Sequence, residues 1–268
     1  MSKVNSLLQR TDHNVISAHI YIVVVEGKGG VGKSFTSMTF HHALSADGSR
    51  VAVLETDTTN STMYSVGLTS GDPISTRDET MLGGLLEGVA LIADGEADHI
   101  VLDAGARDEA FLMPHLTKLA QRLRQIGGHL VVVRPLTTSH FVLSNAAECA
   151  NLLEGTGISL IYSLGLWGGR TLKDYQGWMD SPYREAALAA GAVEIEVRSI
   201  GTVVADNMVG FGLSIVDVAD RNFGKAGENE AVARKVFTRP MVLHCNEWLD
   251  EHVIRVRAGL IEALGRPL

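Results

Sequence analysis

Cysteine is scarce in this chain, with Cys149 and Cys245 the only two in 268 residues. They lie far apart and outside any Cys-x-x-Cys pair, which excludes a disulfide framework and a zinc cluster. Each reads as a small buried hydrophobe. Long apolar runs are missing too. None approaches the roughly 18 residues needed to cross a bilayer, and the first 19 residues are too polar for a secretion signal. Cytoplasm is the compartment consistent with these absences, and a membrane role is disfavoured. Positive charge is in short supply, with Lys+Arg 23 against Asp+Glu 31 and a net charge of −8. That balance argues against a broad electrostatic grip on DNA, because non-specific affinity comes from neutralising phosphates. Two local clusters remain, Arg122, Arg124 and Arg134, and Arg234, Lys235 and Arg239. Each is either a small basic patch or a solvated helix face. Repeats, low-complexity tracts and linkers are also absent, so the economical division is a short N-terminal extension over 1–18 and one folded domain over 19–268.

What is present is a core-forming composition, 46% hydrophobic and 20% charged, with apolar β-rich runs recurring between helical patterns. Candidate strands cover 20–25, 51–54, 100–102, 130–133, 158–164 and 193–197. Helical patterns cover 33–46, 108–126, 139–153 and 182–190, the first closed by Gly48 and the second by Gly127-Gly128. After Asp206 the pattern turns helical and ends over 245–264. There Trp248, Leu249, Val253, Val256, Leu260 and Leu264 recur at helical spacing, a face suited to packing on a sheet. Its acidic residues Glu247, Asp250, Glu251 and Glu262 deny it the basic face of a membrane-surface helix. Strands alternating with helices predict an α/β fold, a single domain with a mainly parallel twisted sheet and helices on both faces.

The most informative segment is Gly27-Lys28-Gly29-Gly30-Val31-Gly32-Lys33-Ser34, followed by Phe35. It fits the phosphate-loop pattern G-x-x-x-x-G-K-[ST], and it has the right context, an apolar strand before it and a helical pattern after it. Backbone amides can wrap a polyphosphate only where no side chain blocks the approach, hence the glycines. The next helix points its unpaired N–H groups at the same phosphates. Lys33 would reach the β- and γ-phosphates, and the Ser34 hydroxyl would enter a Mg²⁺ shell. Two acidic residues end later strands. In His99-Ile100-Val101-Leu102-Asp103-Ala104-Gly105, an apolar run closes on Asp103, as in a Walker B strand that holds Mg²⁺. The second strand runs into Glu55-Thr56-Asp57, where Asp57 is either a helix N-cap or part of the metal and water site. Asp108 and Glu109 lie near a helix start, where they would complement its dipole.

Most phosphate loops have no lysine directly after the first glycine. Lys28 in that position makes the segment resemble the deviant Walker A box of the ParA/MinD superfamily. The resemblance covers roughly 18–220, with specific motifs in the first half. It implies an ATP- and Mg²⁺-binding ATPase in which Lys28 reaches across a nucleotide-sandwich homodimer. It also implies that Asp57, matching the second aspartate of an Asp-x-Asp segment, orients the attacking water, with Glu55 in place of the first. The usual Pro-Gln after that segment is absent. The family's late-strand asparagine for adenine is absent as well, leaving Trp167, Arg170 or Arg198 to cover the base. Asp57-Thr58-Thr59-Asn60-Ser61-Thr62, Leu102-Asp103-Ala104-Gly105-Ala106 and Arg198…Asp206…Phe211-Gly212 look most like the plasmid-borne ATPases of the StbB/TraL type. That likeness implies a switch that positions or segregates plasmid DNA through a small DNA-binding adaptor. Two rival readings use the same fold, a metabolic ligase or kinase of the dethiobiotin-synthetase kind and a metal-insertion ATPase. Lys28 argues against the first. The second needs a thiol pair across a dimer, and neither cysteine is suitably placed for one.

Overall fold

The computed structural model describes residues 18–57, 61–69, 73–75, 78–166 and 170–265. The expected extension over 1–18 lies outside them except for Ala18. Six strands form one sheet: β1 (Ile20–Val24), β2 (Val51–Glu55), β3 (His99–Asp103), β4 (His129–Leu136), β5 (Ser159–Leu166) and β6 (Val193–Arg198). Their order is β2-β3-β1-β4-β5-β6, and every pairing is parallel. The helices are α1 (Lys33–Ser45), α2 (Thr62–Ser65), α3 (Asp78–Ala93), α4 (Glu109–Gln125), α5 (His140–Leu153), α6 (Gln176–Met179), α7 (Pro182–Ala189), α8 (Thr202–Gly210), α9 (Ile215–Ala219), α10 (Glu230–Val236) and α11 (Arg239–Leu264).

β1 shows how the layers form. All five of its residues are buried, with alternate side chains entering opposite cores. Tyr21, Val23 and Val25 face a cluster with Leu85 of α3, Leu116 of α4 and Ala146 of α5. Ile20, Ile22 and Val24 face a second cluster with Phe40 of α1, Met208 of α8 and Leu260 of α11. A strand buried on both faces must be apolar throughout, which is why these runs are continuous rather than alternating. The C-terminal helix packs on the sheet as its spacing predicts, and it begins at Arg239, earlier than the apolar stripe alone marks.

Helix α3 has no counterpart among the sequence-predicted helices. Gly83, Gly84 and Gly88 lower its intrinsic propensity, yet packing requires two of them. A Cβ on Gly88 would lie 2.6 Å from Tyr21 Cε2, and one on Gly84 would lie 2.3 Å from Ile74 Cγ2. The end of α4 follows expectation. Gly127 has φ 75° and donates to Arg124 O at 3.1 Å, while Gly128 donates to Leu123 O at 2.8 Å. This pair of bonds is a Schellman cap.

From β1 the chain crosses to the sheet edge at β2, returns to β3, and then passes to the other side of β1 at β4. The crevice beyond the carboxyl end of β1, where connections diverge, is where open parallel sheets bind ligands.

Candidate phosphate-loop site

Residues 25–32 connect β1 to α1 at that crevice. Gly32 takes a left-handed conformation, φ 91°, as the residue before α1, and α1 has no side-chain cap and no acidic residue in its first turn. Its N-terminal amides are therefore left for an anion. Lys33 is 8% exposed and folds back so that Nζ donates to Lys28 O at 3.3 Å. Burial lowers its pKa, opposed by Asp103, Glu26, Asp57 and Asp108. Lys28 behaves differently. It is exposed, and its Nζ donates to the Ser139 hydroxyl at 3.0 Å.

Sheet register brings the acidic residues together. Asp103 pairs with Val24 of β1 on one side and with Glu55 of β2 on the other. It is 2% exposed, accepts from Ser37 Oγ at 2.8 Å, and is hydrogen-bonded by Ser34. Burial pushes its carboxyl up to about 6, opposed by the two hydroxyls and Lys33, with Asp57 adding to the rise. Glu55 rises to about 7 through burial and the neighbouring Asp103. Its two oxygens accept from the Met63 and Tyr64 amides, each at 3.4 Å.

Asp57 follows β2, half-buried, and its electrostatic influence reaches Lys33, Glu55 and Asp103. The N-cap alternative for it fails, because Ser61 is the residue that precedes α2. Thr58, Thr59 and Asn60 lie outside the described residues. Thr56 ties this corner to the next one, donating to Asp108 and accepting from Gly105 N at 2.8 Å. The oxygen donor set of Ser34 and Asp103 suits a hard cation such as Mg²⁺. Among the described residues no three His, Cys, Asp or Glu side chains gather to hold a metal by themselves. Phosphate-bound Mg²⁺ needs only one or two protein oxygens, so the site fits that ion.

Several sequence-level assignments change. Arg134 belongs to no surface patch; it is 1% exposed and ion-paired to Glu26 and Glu109. Glu109 does more than complement a helix dipole, since it also accepts from Gly27 N at 2.7 Å. Glu26, Ser37 and Arg134 were not predicted. For Glu26 and Arg134 the available signal was a charged residue set in an apolar run, which burial allows only with a partner; Ser37 carried none. Beside the loop a cleft of about 420 Å³ is lined by Gly30, Gly32, Phe35, Ile200, Thr202 and Asp206, among others. Of the base-stacking candidates, Arg170 and Arg198 do not line it, and Trp167 lies outside the described residues. Arg198 instead pairs with Glu251 at 3.1 Å. Cys149 and Cys245 are both buried, at 1% and 0% exposure.

The model of the CobQ/CobB/MinD/ParA nucleotide-binding domain matches residues 22–237. Protein TraL of Escherichia coli is 28% identical over 159 residues, covering 54% of this chain and 63% of TraL, so the likeness spans less than two thirds of that relative. The MinD cell division protein of Aquifex aeolicus superposes with a TM-score of 0.48 at 17% identity, covering 81% of this chain and 95% of that one. MinD of Pyrococcus horikoshii, complexed with Mg-ADP, superposes with a TM-score of 0.46 at 16% identity, covering 81% and 96%.

Proposed function

The chain belongs to the CobQ/CobB/MinD/ParA nucleotide-binding domain family, and on that premise we propose that it is a Mg·ATP-driven pairing switch that positions plasmid DNA through a small DNA-binding adaptor. The observation that carries this reading is the division of labour between the two loop lysines. Lys33 is buried against its own loop, whereas Lys28 is exposed. An exposed lysine at the mouth of a phosphate site, held by a single surface bond to Ser139, can turn to a nucleotide on a second copy, and the family resemblance implies that use.

In this reading the loop amides after Lys28 and the N-terminus of α1 hold the polyphosphate, and Lys33 faces the β- and γ-phosphates. Ser34 and Asp103 would hold the Mg²⁺, which would supply charge neutralisation on the phosphate oxygens. The base enters the cleft between Phe35 and Thr202, and Asp57 orients the attacking water. Phosphoryl transfer requires positioning more than a strong base, so a half-buried carboxylate beside Asp103 is adequate. Lys28 reaches the phosphates of the partner copy, which makes turnover dependent on pairing. Hydrolysis then separates the pair and resets the switch.

Light scattering with Mg·ATP and Mg·ADP tests the reading. Wild type should gain mass only with Mg·ATP. Lys28→Ala should keep ATP affinity within several-fold and lose the mass gain, since one charge contact at a desolvated γ-phosphate is worth about 2–4 kcal/mol. A wild-type protein that stays monomeric in saturating Mg·ATP, yet turns over a small-molecule substrate, would place it among the metabolic enzymes of the same fold.

A further inference from the structure

Three charged side chains beneath the loop have no part in the nucleotide reading. Arg134 lies on β4 just after Val133, whose carbonyl accepts from Val25 N at 3.0 Å, so its guanidinium rises beside the first loop residues. It is 1% exposed and Glu26 is 0% exposed. One arm donates to Glu26 Oε2 at 2.6 Å and the other to Glu109 Oε1. The remaining oxygen of each carboxylate is also used. Glu109 Oε2 accepts from Gly27 N at 2.7 Å, and Glu26 Oε1 accepts from Lys28 N at 3.2 Å. One guanidinium is thus joined through two carboxylates to two consecutive loop amides.

Burying such a group is strongly unfavourable unless its charge is paired; here both terminal nitrogens of the guanidinium meet carboxylates, while Nε is buried without a hydrogen-bond partner among the described residues. The planar fork is essential, because a lysine ammonium cannot span two carboxylates in fixed geometry. Gly27 bears the imprint of the same network. A Cβ there would sit 2.9 Å from Glu109 Oε2, with no other atom closer than 4 Å, and its φ is not positive. At Gly27 it is this carboxylate, not a positive φ, that crowds the Cβ position. Amides pointing at carboxylates are not offered to an anion. What they fix is the backbone from which Lys28 projects.

We propose that Glu26, Glu109 and Arg134 are positioning residues, a buried clamp that sets the reach of Lys28 towards a nucleotide on a second copy. This rests on the pairing reading above. Glu109→Ala is the decisive variant, since it leaves a charge-balanced Glu26–Arg134 pair and removes the tie to Gly27. Without nucleotide, its Gly27 and Lys28 amides should exchange with deuterium at least about tenfold faster than in wild type, while the thermal midpoint stays near wild type. Mg·ATP affinity should hold within several-fold, but Mg·ATP-dependent mass gain should be lost. Lys28→Ala/Glu109→Ala should be no worse than Lys28→Ala alone, the non-additivity expected of residues acting through one another. Should Glu109→Ala fail to fold, Glu109→Gln carries the same test, because a carboxamide has one acceptor oxygen and cannot accept from both Arg134 and Gly27 N.

Unchanged exchange at residues 27 and 28 would overturn the clamp, and additive losses in the double variant would overturn its action through Lys28. A wild type that does not pair in Mg·ATP would overturn the pairing reading and the reach of Lys28 with it. The exchange measurement would still decide whether the clamp holds the loop.

Discussion

Lys33 and Asp57 occupy one site, yet their loss should be felt at different steps. Lys33→Ala removes a mostly buried cation from a loop built for polyphosphate, a change worth about 2–5 kcal/mol. Calorimetry should therefore show Mg·ATP affinity falling roughly thirtyfold or more. Asp57→Ala should bind Mg·ATP normally and hydrolyse it poorly, so single-turnover assays should find the ATP-bound form accumulating; normal turnover would move the water-orienting role elsewhere. The loop itself was legible in the sequence because its parts are contiguous, eight residues between a strand and a helix. Asp103 was legible because it ends an apolar run. The Glu26–Arg134–Glu109 network was not, because its members meet only through sheet register and the turn into α4. Arg134, set within β4, was read as a patch candidate, although a charge inside an apolar strand signals a buried partner.

Among the elements, α3 tests close packing against helix propensity. Gly88→Ala would gain about 0.8–1 kcal/mol of helix propensity. It would also place a methyl group 2.6 Å from the Tyr21 ring, and such overpacking costs about 1–3 kcal/mol. The clash outweighs the propensity gain over most of that range, and chemical denaturation should show net destabilisation of up to about 2 kcal/mol. The sequence hid this helix because its glycines read as breakers, whereas their cause is a neighbouring strand that only the fold brings near. Helix α11 contributes a pH dependence. His252 stacks on Trp248 with ring centroids 3.8 Å apart, its Nε2 accepts from Arg198 N at 2.9 Å, and its Nδ1 meets Trp248 O at 2.7 Å. That pattern requires a neutral ring, and burial lowers the pKa from 6.5 to about 4. The unfolded chain therefore binds a proton that the folded chain refuses. Stability is full above pH 6.5 and falls as pH drops towards 4. The loss is about 1.4 kcal/mol per pH unit for this residue. Comparing urea midpoints at pH 7 and pH 5 for wild type and His252→Gln should give the variant the shallower dependence.

For the whole molecule, net charge and sheet topology matter more than any single contact. At −8 overall, and with Arg134 withdrawn from the surface, purified protein should bind random duplex DNA weakly near physiological salt, with or without ATP. Tight binding in a gel-shift assay without a partner would show that the remaining arginines form a working patch. Among the described residues no helix is long and apolar enough to cross a membrane. The parallel architecture could be read from continuous apolar strands. Strand order could not, because strands apolar on both faces do not specify their neighbours. The same topology fixes where the chain can be held. β1 starts at Ile20, and β5 starts at Ser159, whose hydroxyl donates to Ala263 O at 2.8 Å near the end of α11. The described chain therefore enters and leaves along one rim, across the sheet from residues 25–32. A dye, bead or surface linker attached to a described residue on this rim leaves the opposite rim clear, so tethered single molecules can be tested for recruitment of nucleotide and of the proposed second copy.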